Sequence, residues 1–171
     1  MSMDKSCKKM FERTILVCGE IESLNNNDCN LVTDEEKYTE IVNLMYRCFS
    51  LFCNATMRLC SHMSFKTFTS VSTLAFYTLG FIEKDECIGY KKQEAIDIVR
   101  KIKEESKNID FRDKTYYDSD IESYSKEELI FAMNIVRQVK DYSESCLIAH
   151  DDKASYIAQE VVYDYGLQKI S

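Results

Sequence analysis

The fold is decided by the most apolar stretch of the chain, Val71-Ser-Thr-Leu-Ala-Phe-Tyr-Thr-Leu-Gly-Phe-Ile82. Apolar and small residues recur in it at the three- and four-residue spacing of an α-helix: Val71, Leu74, Ala75, Thr78, Leu79 and Ile82. Phe76, Tyr77 and Phe81 add apolar area on the other faces. A helix that is apolar on most sides is typical of the buried centre of a domain. The stretch therefore predicts a central helix over residues 69–84.

Further amphipathic segments lie on both sides of this stretch. The helical period continues over residues 6–24, about 33–63, about 91–108, from about 125 to 142 or 148, and after Asp151. Capping boxes open two of them, Thr33-Asp-Glu-Glu36 and Ser125-Lys-Glu-Glu128. The segment at about 110–124 has no helical period and is predicted to be a surface loop. The fold class is therefore all-α: a single-domain bundle, residues 1–171, of about six helices around a central apolar helix.

The composition excludes several classes of protein. The chain has 171 residues, of which 45% are hydrophobic, with no proline and only four glycines. This argues against Pro-rich or Gly-rich chains and against a turn-rich β-sandwich. Its 22 basic and 29 acidic side chains give a formal net charge of −7. We therefore expect no nucleic acid or anionic membrane as a partner, because both attract a cationic face.

The N-terminal residues indicate where the protein works. The opening Met1-Ser-Met-Asp-Lys-Ser-Cys-Lys-Lys-Met10 is charged and leads into no apolar segment of a signal peptide. The apolar stretch at 71–82 is shorter than the roughly 20 residues of a membrane span. We expect a protein without a transmembrane segment, working in the reducing cytoplasm.

Cysteine is unusually frequent, with eight residues: Cys7, Cys18, Cys29, Cys48, Cys53, Cys60, Cys87 and Cys146. No Cys-x-x-Cys pair occurs, and the two histidines have no metal-ligand spacing. No Gly-rich loop is present to hold a phosphate. The sequence therefore predicts no metal and no cofactor. It also predicts reduced thiols packed as small hydrophobic side chains.

Nucleophilic catalysis is the main alternative chemistry. Cys60 and His62 are close in sequence, but residues two apart point to opposite sides of a helix. A small enzyme would instead use Cys60 or Cys87 with His62 or His150, brought together by the fold. We expect no catalytic residues, and this arrangement stays open as the rival hypothesis.

Two features suit a protein partner. The stripe of the second helix carries adaptable and aromatic side chains, Met45, Phe49 and Phe52, which fit a groove for an amphipathic helix, although core packing explains the same stripe. The segment from Asp110 to Glu128 is acidic and carries three tyrosines suited to anchoring a partner: Tyr116, Tyr117 and Tyr124. A solvated loop is the plain alternative for that segment.

The stretch 71–82 resembles the central helix of the B-cell lymphoma (Bcl) family, especially its poxvirus members. Those proteins are small, acidic and all-α, built around one apolar helix. The resemblance implies a viral protein that binds a partner helix in a groove and blocks cell-death signalling or an innate immune adaptor, without catalysis. The family's Asn-Trp-Gly-Arg signature is absent, since the chain has no tryptophan, and no site residue is carried over.

The sequence thus favours a non-enzymatic protein that regulates another protein by binding it. A cysteine- and histidine-dependent enzyme is one alternative. The other is a homo-oligomeric structural protein, in the simplest case a homodimer, that associates through the stripe of the second helix.

Overall fold

The computed structural model describes residues 3–26, 35–61, 70–84, 90–108 and 126–150. Within these ranges the fold is all-α, without a strand. The five helices are α1 (Lys5–Asn26), α2 (Glu35–Ser61), α3 (Val71–Lys84), α4 (Lys92–Asn108) and α5 (Lys126–His150). The sequence predicted each of these helices to within a few residues at most ends. The sixth helix, predicted after Asp151, and the loop predicted at 110–124 lie outside the described residues.

Side-chain caps explain where two of the helices begin. An oxygen of Asp4 accepts a hydrogen bond from the backbone N–H of Cys7 at 2.7 Å, which caps the first turn of α1. The same carboxylate forms an ion pair with Arg58 of α2 at 3.1 Å. Before α3, the Ser70 hydroxyl accepts a hydrogen bond from the N–H of Thr73 at 3.2 Å. The Asp4 contacts therefore start α1 and fasten it to α2.

The centre of the described bundle is α2 and not α3. α2 packs against each of the other four helices. Buried side chains cover a wide arc of its surface: Ile41, Val42, Leu44, Met45, Cys48, Phe49, Phe52, Cys53, Ala55, Met57 and Cys60. α3 packs mainly against α2 and α4, and it leaves Phe76 58% and Tyr77 48% exposed. The structure thus does not confirm a central helix at 69–84, because the described helices cover only part of the circumference of α3.

The described helices share one hydrophobic core. Aromatic rings join its parts: the Tyr142 ring of α5 lies 5.5 Å from that of Phe52 on α2 and 6.4 Å from that of Phe11 on α1. That the whole chain 1–171 forms a single domain stays a prediction. Among the described helices, none combines the length and the apolar character that crossing a membrane requires.

Candidate protein-binding cleft

The outer face of α3 carries two neighbouring aromatic side chains that the core does not use. Phe76 and Tyr77 are 58% and 48% exposed, and their rings meet edge to face, 5.5 Å apart at 81°. The opposite face of α3 buries Leu74, Thr78 and Ile82 in the core. Since both faces are apolar, α3 has more apolar surface than the described helices bury.

A cleft of about 640 Å³ lies along this face, between the second half of α3 and the middle of α4. Its lining residues are Phe76, Tyr77, Leu79, Gly80, Phe81, Glu83, Lys84, Arg100, Lys103 and Glu104. The volume falls within the range of roughly 300–1,000 Å³ that is common for binding clefts. Aromatic side chains and a ring of charged ones are the usual parts of a protein-binding surface.

Charged groups of α4 hold the cleft in shape. The Arg100 guanidinium donates to the Glu83 carboxylate at 2.9 Å, which ties α4 to the end of α3. The Lys103 ammonium lies 5.2 Å from the centre of the Phe76 ring, within the range of a cation–π contact. Arg100 is shared between Glu83, at 2.9 Å, and Asp97 of its own helix, at 3.8 Å. The other two basic groups of the lining, Lys84 and Lys103, form no ion pair with a described residue. The cleft is therefore locally basic in a chain whose net charge is −7.

Gly80 forms part of the cleft in the interior of α3. Glycine in a helix interior costs about 1 kcal/mol relative to alanine. A Cβ atom built on Gly80 meets no atom of the described residues within 4 Å, so packing within this part of the chain does not require glycine here. What the missing side chain provides is space, in which another backbone can approach α3 closely.

The groove residues predicted on the second helix lie elsewhere. Met45, Phe49 and Phe52 are 0% exposed and belong to the core of the bundle. In this structure they are not accessible to a partner or to a second copy of the chain, and core packing accounts for their stripe. The predicted anchors Tyr116, Tyr117 and Tyr124 lie outside the described residues.

The cysteine–histidine pair that the structure brings together is not the one the sequence suggested. Cys60 is buried, whereas His62 and Cys87 lie outside the described residues. On α5, the sulfur of Cys146 lies 3.8 Å from Nδ1 of His150, and that Nδ1 lies 3.0 Å from the backbone oxygen of Cys146. The spacing of four residues was the signal in the sequence, because such residues share a helix face.

Burial shapes the chemistry of this pair. The Cys146 side chain is 0% exposed, and its desolvation raises the pKa of the thiol far above the usual 9.0. A nucleophilic cysteine needs the opposite shift, because the thiolate is the reactive form. Within the described ranges, no three His, Cys, Asp or Glu side chains come together as a metal site would require.

The sequence predicts Phe76 and Tyr77 in the buried centre of the domain, and the structure places both at the surface beside the cleft. The sequence does contain a signal for the cleft, because α3 has more apolar residues than one buried face needs. Phe76 and Tyr77 lie outside its inward stripe, and Gly80 follows within the same helix. Comparison of the chain with known protein families, curated proteins and solved structures finds no match.

Proposed function

We propose that this protein is a non-enzymatic binding module whose cleft between α3 and α4 takes an amphipathic helix of a partner protein. The observation that carries the proposal is the exposure of Phe76 and Tyr77, at 58% and 48%, beside a cleft of about 640 Å³. Exposed neighbouring aromatics are the side chains that most often dominate binding energy at protein interfaces.

The shape and charge of the cleft select the partner. The apolar face of an incoming helix packs on the two aromatic rings. Its backbone approaches α3 at Gly80, where no described residue lies within 4 Å of an added Cβ. The two lysines of the lining, Lys84 and Lys103, form no ion pair with a described residue and favour acidic residues along the partner's polar edge. The occupant is therefore an amphipathic helix with an acidic border.

The resemblance of residues 71–82 to the central helix of the Bcl family extends this proposal. It suggests a viral protein that acts in the cytoplasm on cell-death or innate immune signalling. The raised pKa of Cys146 speaks against the rival enzyme at this cysteine, because it keeps the thiol protonated near neutral pH. The complete burial of Met45, Phe49 and Phe52 speaks against a homo-oligomer that associates through this stripe of α2.

A peptide-selection experiment tests the cleft. Displayed amphipathic helical peptides with acidic or basic polar faces compete for the full chain. Acidic ones are expected to be enriched, and amide NMR shifts on their binding are expected to centre on residues 76–84 and 100–104. The F76A/Y77A double variant should weaken binding at least tenfold, as loss of aromatic anchors does.

The matched control is Phe131→Ala on α5, since Phe131 is also exposed, at 46%, and lies outside the cleft lining. This variant should bind the selected peptides within twofold of the original protein. Selection of basic peptides, or equal binding by the F76A/Y77A variant, would overturn the proposal. A Cys146→Ala variant that binds normally would separate binding from any chemistry at that thiol.

A further inference from the structure

Two thiols meet in the core where three helices join. The sulfur atoms of Cys18 on α1 and Cys48 on α2 lie 3.4 Å apart, although the residues are 30 positions apart in sequence. Both side chains are 0% exposed, and both are free thiols. The Cys18 thiol also donates toward the backbone oxygen of Val136 on α5, at 3.7 Å.

Two further core cysteines, Cys7 and Cys146, contact groups other than a thiol. The Cys7 thiol donates toward the backbone oxygen of Ala55 at 3.5 Å, and the Cys146 sulfur lies 3.8 Å from a ring nitrogen of His150. In the Cys18–Cys48 pair, by contrast, each sulfur has the other as its neighbour. A disulfide bond is about 2.05 Å long, so the two sulfurs need to approach by only about 1.4 Å.

We propose that Cys18 and Cys48 form a redox site, which a small disulfide oxidant converts into an intramolecular disulfide between α1 and α2. Oxidised glutathione represents that class of oxidant. The product fastens the first helix of the bundle covalently to its central helix. Neither cysteine belongs to the lining of the α3–α4 cleft, so the redox proposal does not depend on whether the cleft binds a helix.

The reaction is two consecutive thiol–disulfide exchanges. The deprotonated Cys18 sulfur attacks one sulfur of oxidised glutathione; a mixed disulfide forms, and one glutathione leaves as a thiolate that takes up a proton. The deprotonated Cys48 sulfur then attacks the Cys18 sulfur, the bond between the two cysteines forms, and the second glutathione leaves. In total, two electrons and two protons pass from the cysteines to the oxidant.

Complete burial makes the rate depend on opening of the helix pair. Neither sulfur is accessible in the closed structure, and burial raises the pKa of the Cys18 thiol well above its usual value. The first exchange therefore requires α1 and α2 to separate transiently. Reclosing brings the two sulfurs back together, which favours the second exchange over attack by other thiols.

The test uses the full chain incubated with oxidised glutathione, with and without low concentrations of urea. After acid quenching and alkylation with N-ethylmaleimide, peptide mapping by mass spectrometry is expected to find a Cys18–Cys48 cross-link, formed faster in urea. The thermal unfolding midpoint should rise by about 10 °C, because the cross-link restricts the unfolded chain. Dithiothreitol should reverse the rise.

Matched variants decide whether this pair is responsible. Cys53→Ala removes another fully buried thiol of α2 and should keep both the cross-link and the thermal shift. Cys18→Ala and Cys48→Ala should lose both. The proposal is overturned if Cys18 and Cys48 remain alkylatable after equilibration, or if they pair with other cysteines instead. If the two alanine variants fail to fold, the peptide map of Cys53→Ala alone gives the answer.

Discussion

The hydroxyl group of Tyr142 on α5 donates a hydrogen bond to the backbone carbonyl of Tyr90, just before α4. Tyr142 is 2% exposed, and its ring also contacts those of Phe52 and Phe11. One side chain thus joins α5 to α1, to α2 and to the start of α4. The polar end of this buried ring has a partner, which is the condition for placing a tyrosine in a core.

Replacing Tyr142 by phenylalanine should therefore destabilise the protein while keeping the packing of the ring. We expect the free energy of unfolding to fall by about 1–3 kcal/mol, because the Tyr90 carbonyl loses its buried donor. Urea unfolding followed by circular dichroism measures this. Tyr90→Phe is the control: the Tyr90 hydroxyl pairs at 3.1 Å with Ser145. Both of these residues are only half-buried, whereas Tyr142 is buried, so water can replace the lost partner and the effect should be smaller.

The central position of α2 predicts a contrast between two phenylalanines. Phe52 is 0% exposed on α2, whereas Phe76 is 58% exposed on α3. Phe52→Ala should cost about 3–5 kcal/mol, because it opens a cavity in the core, and Phe76→Ala should change stability by less than about 1 kcal/mol. Chemical denaturation measures both. Similar losses for the two variants would contradict the assignment of α2 as the centre.

Filling the space at Gly80 should strengthen the fold. Among the described residues, no atom lies within 4 Å of a Cβ added there. Gly80→Ala should therefore raise the free energy of unfolding by about 0.5–1 kcal/mol through the higher helix propensity of alanine. The larger Gly80→Leu should reduce peptide binding in the cleft without unfolding the protein. A loss of stability in Gly80→Ala would show that the space is needed for packing within the fold.

Buried thiols predict that stability falls in alkaline solution. Burial raises the pKa of both Cys7 and Cys53 from 9.0 to about 12. Because these folded-state values lie above the unfolded ones, the stabilisation is complete below pH 9 and is lost as the pH rises from 9 to 12. Within that window, each thiol should lower the free energy of unfolding by about 1.4 kcal/mol per pH unit.

The matched measurement is the pH dependence of urea unfolding in Cys53→Ala. Between pH 9 and 12, the free energy of unfolding of this variant should fall less steeply with pH than that of the original protein, because the buried Cys53 thiol is missing. An unchanged slope would mean that the Cys53 thiol ionises equally in the folded and the unfolded chain.

Local patterns were enough to predict the helices. The spacing of Met45, Cys48, Phe49 and Phe52 places these residues on one side of α2, and all four are buried. This works because the helical period is a property of the backbone, and the apolar side of a helix must be covered by something. What covers it is not contained in the pattern, so the same stripe fits both a core and a partner's groove.

The sequence by itself determined that this chain forms amphipathic helices, and that Cys18 and Cys48 lie on apolar sides of two of them. Only the tertiary structure decided that α2 is central, that Phe76 and Tyr77 remain outside, and that those two sulfurs meet at 3.4 Å. Helix formation depends on neighbours three and four residues away. Centrality, exposure and a contact across 30 residues depend on how whole helices pack.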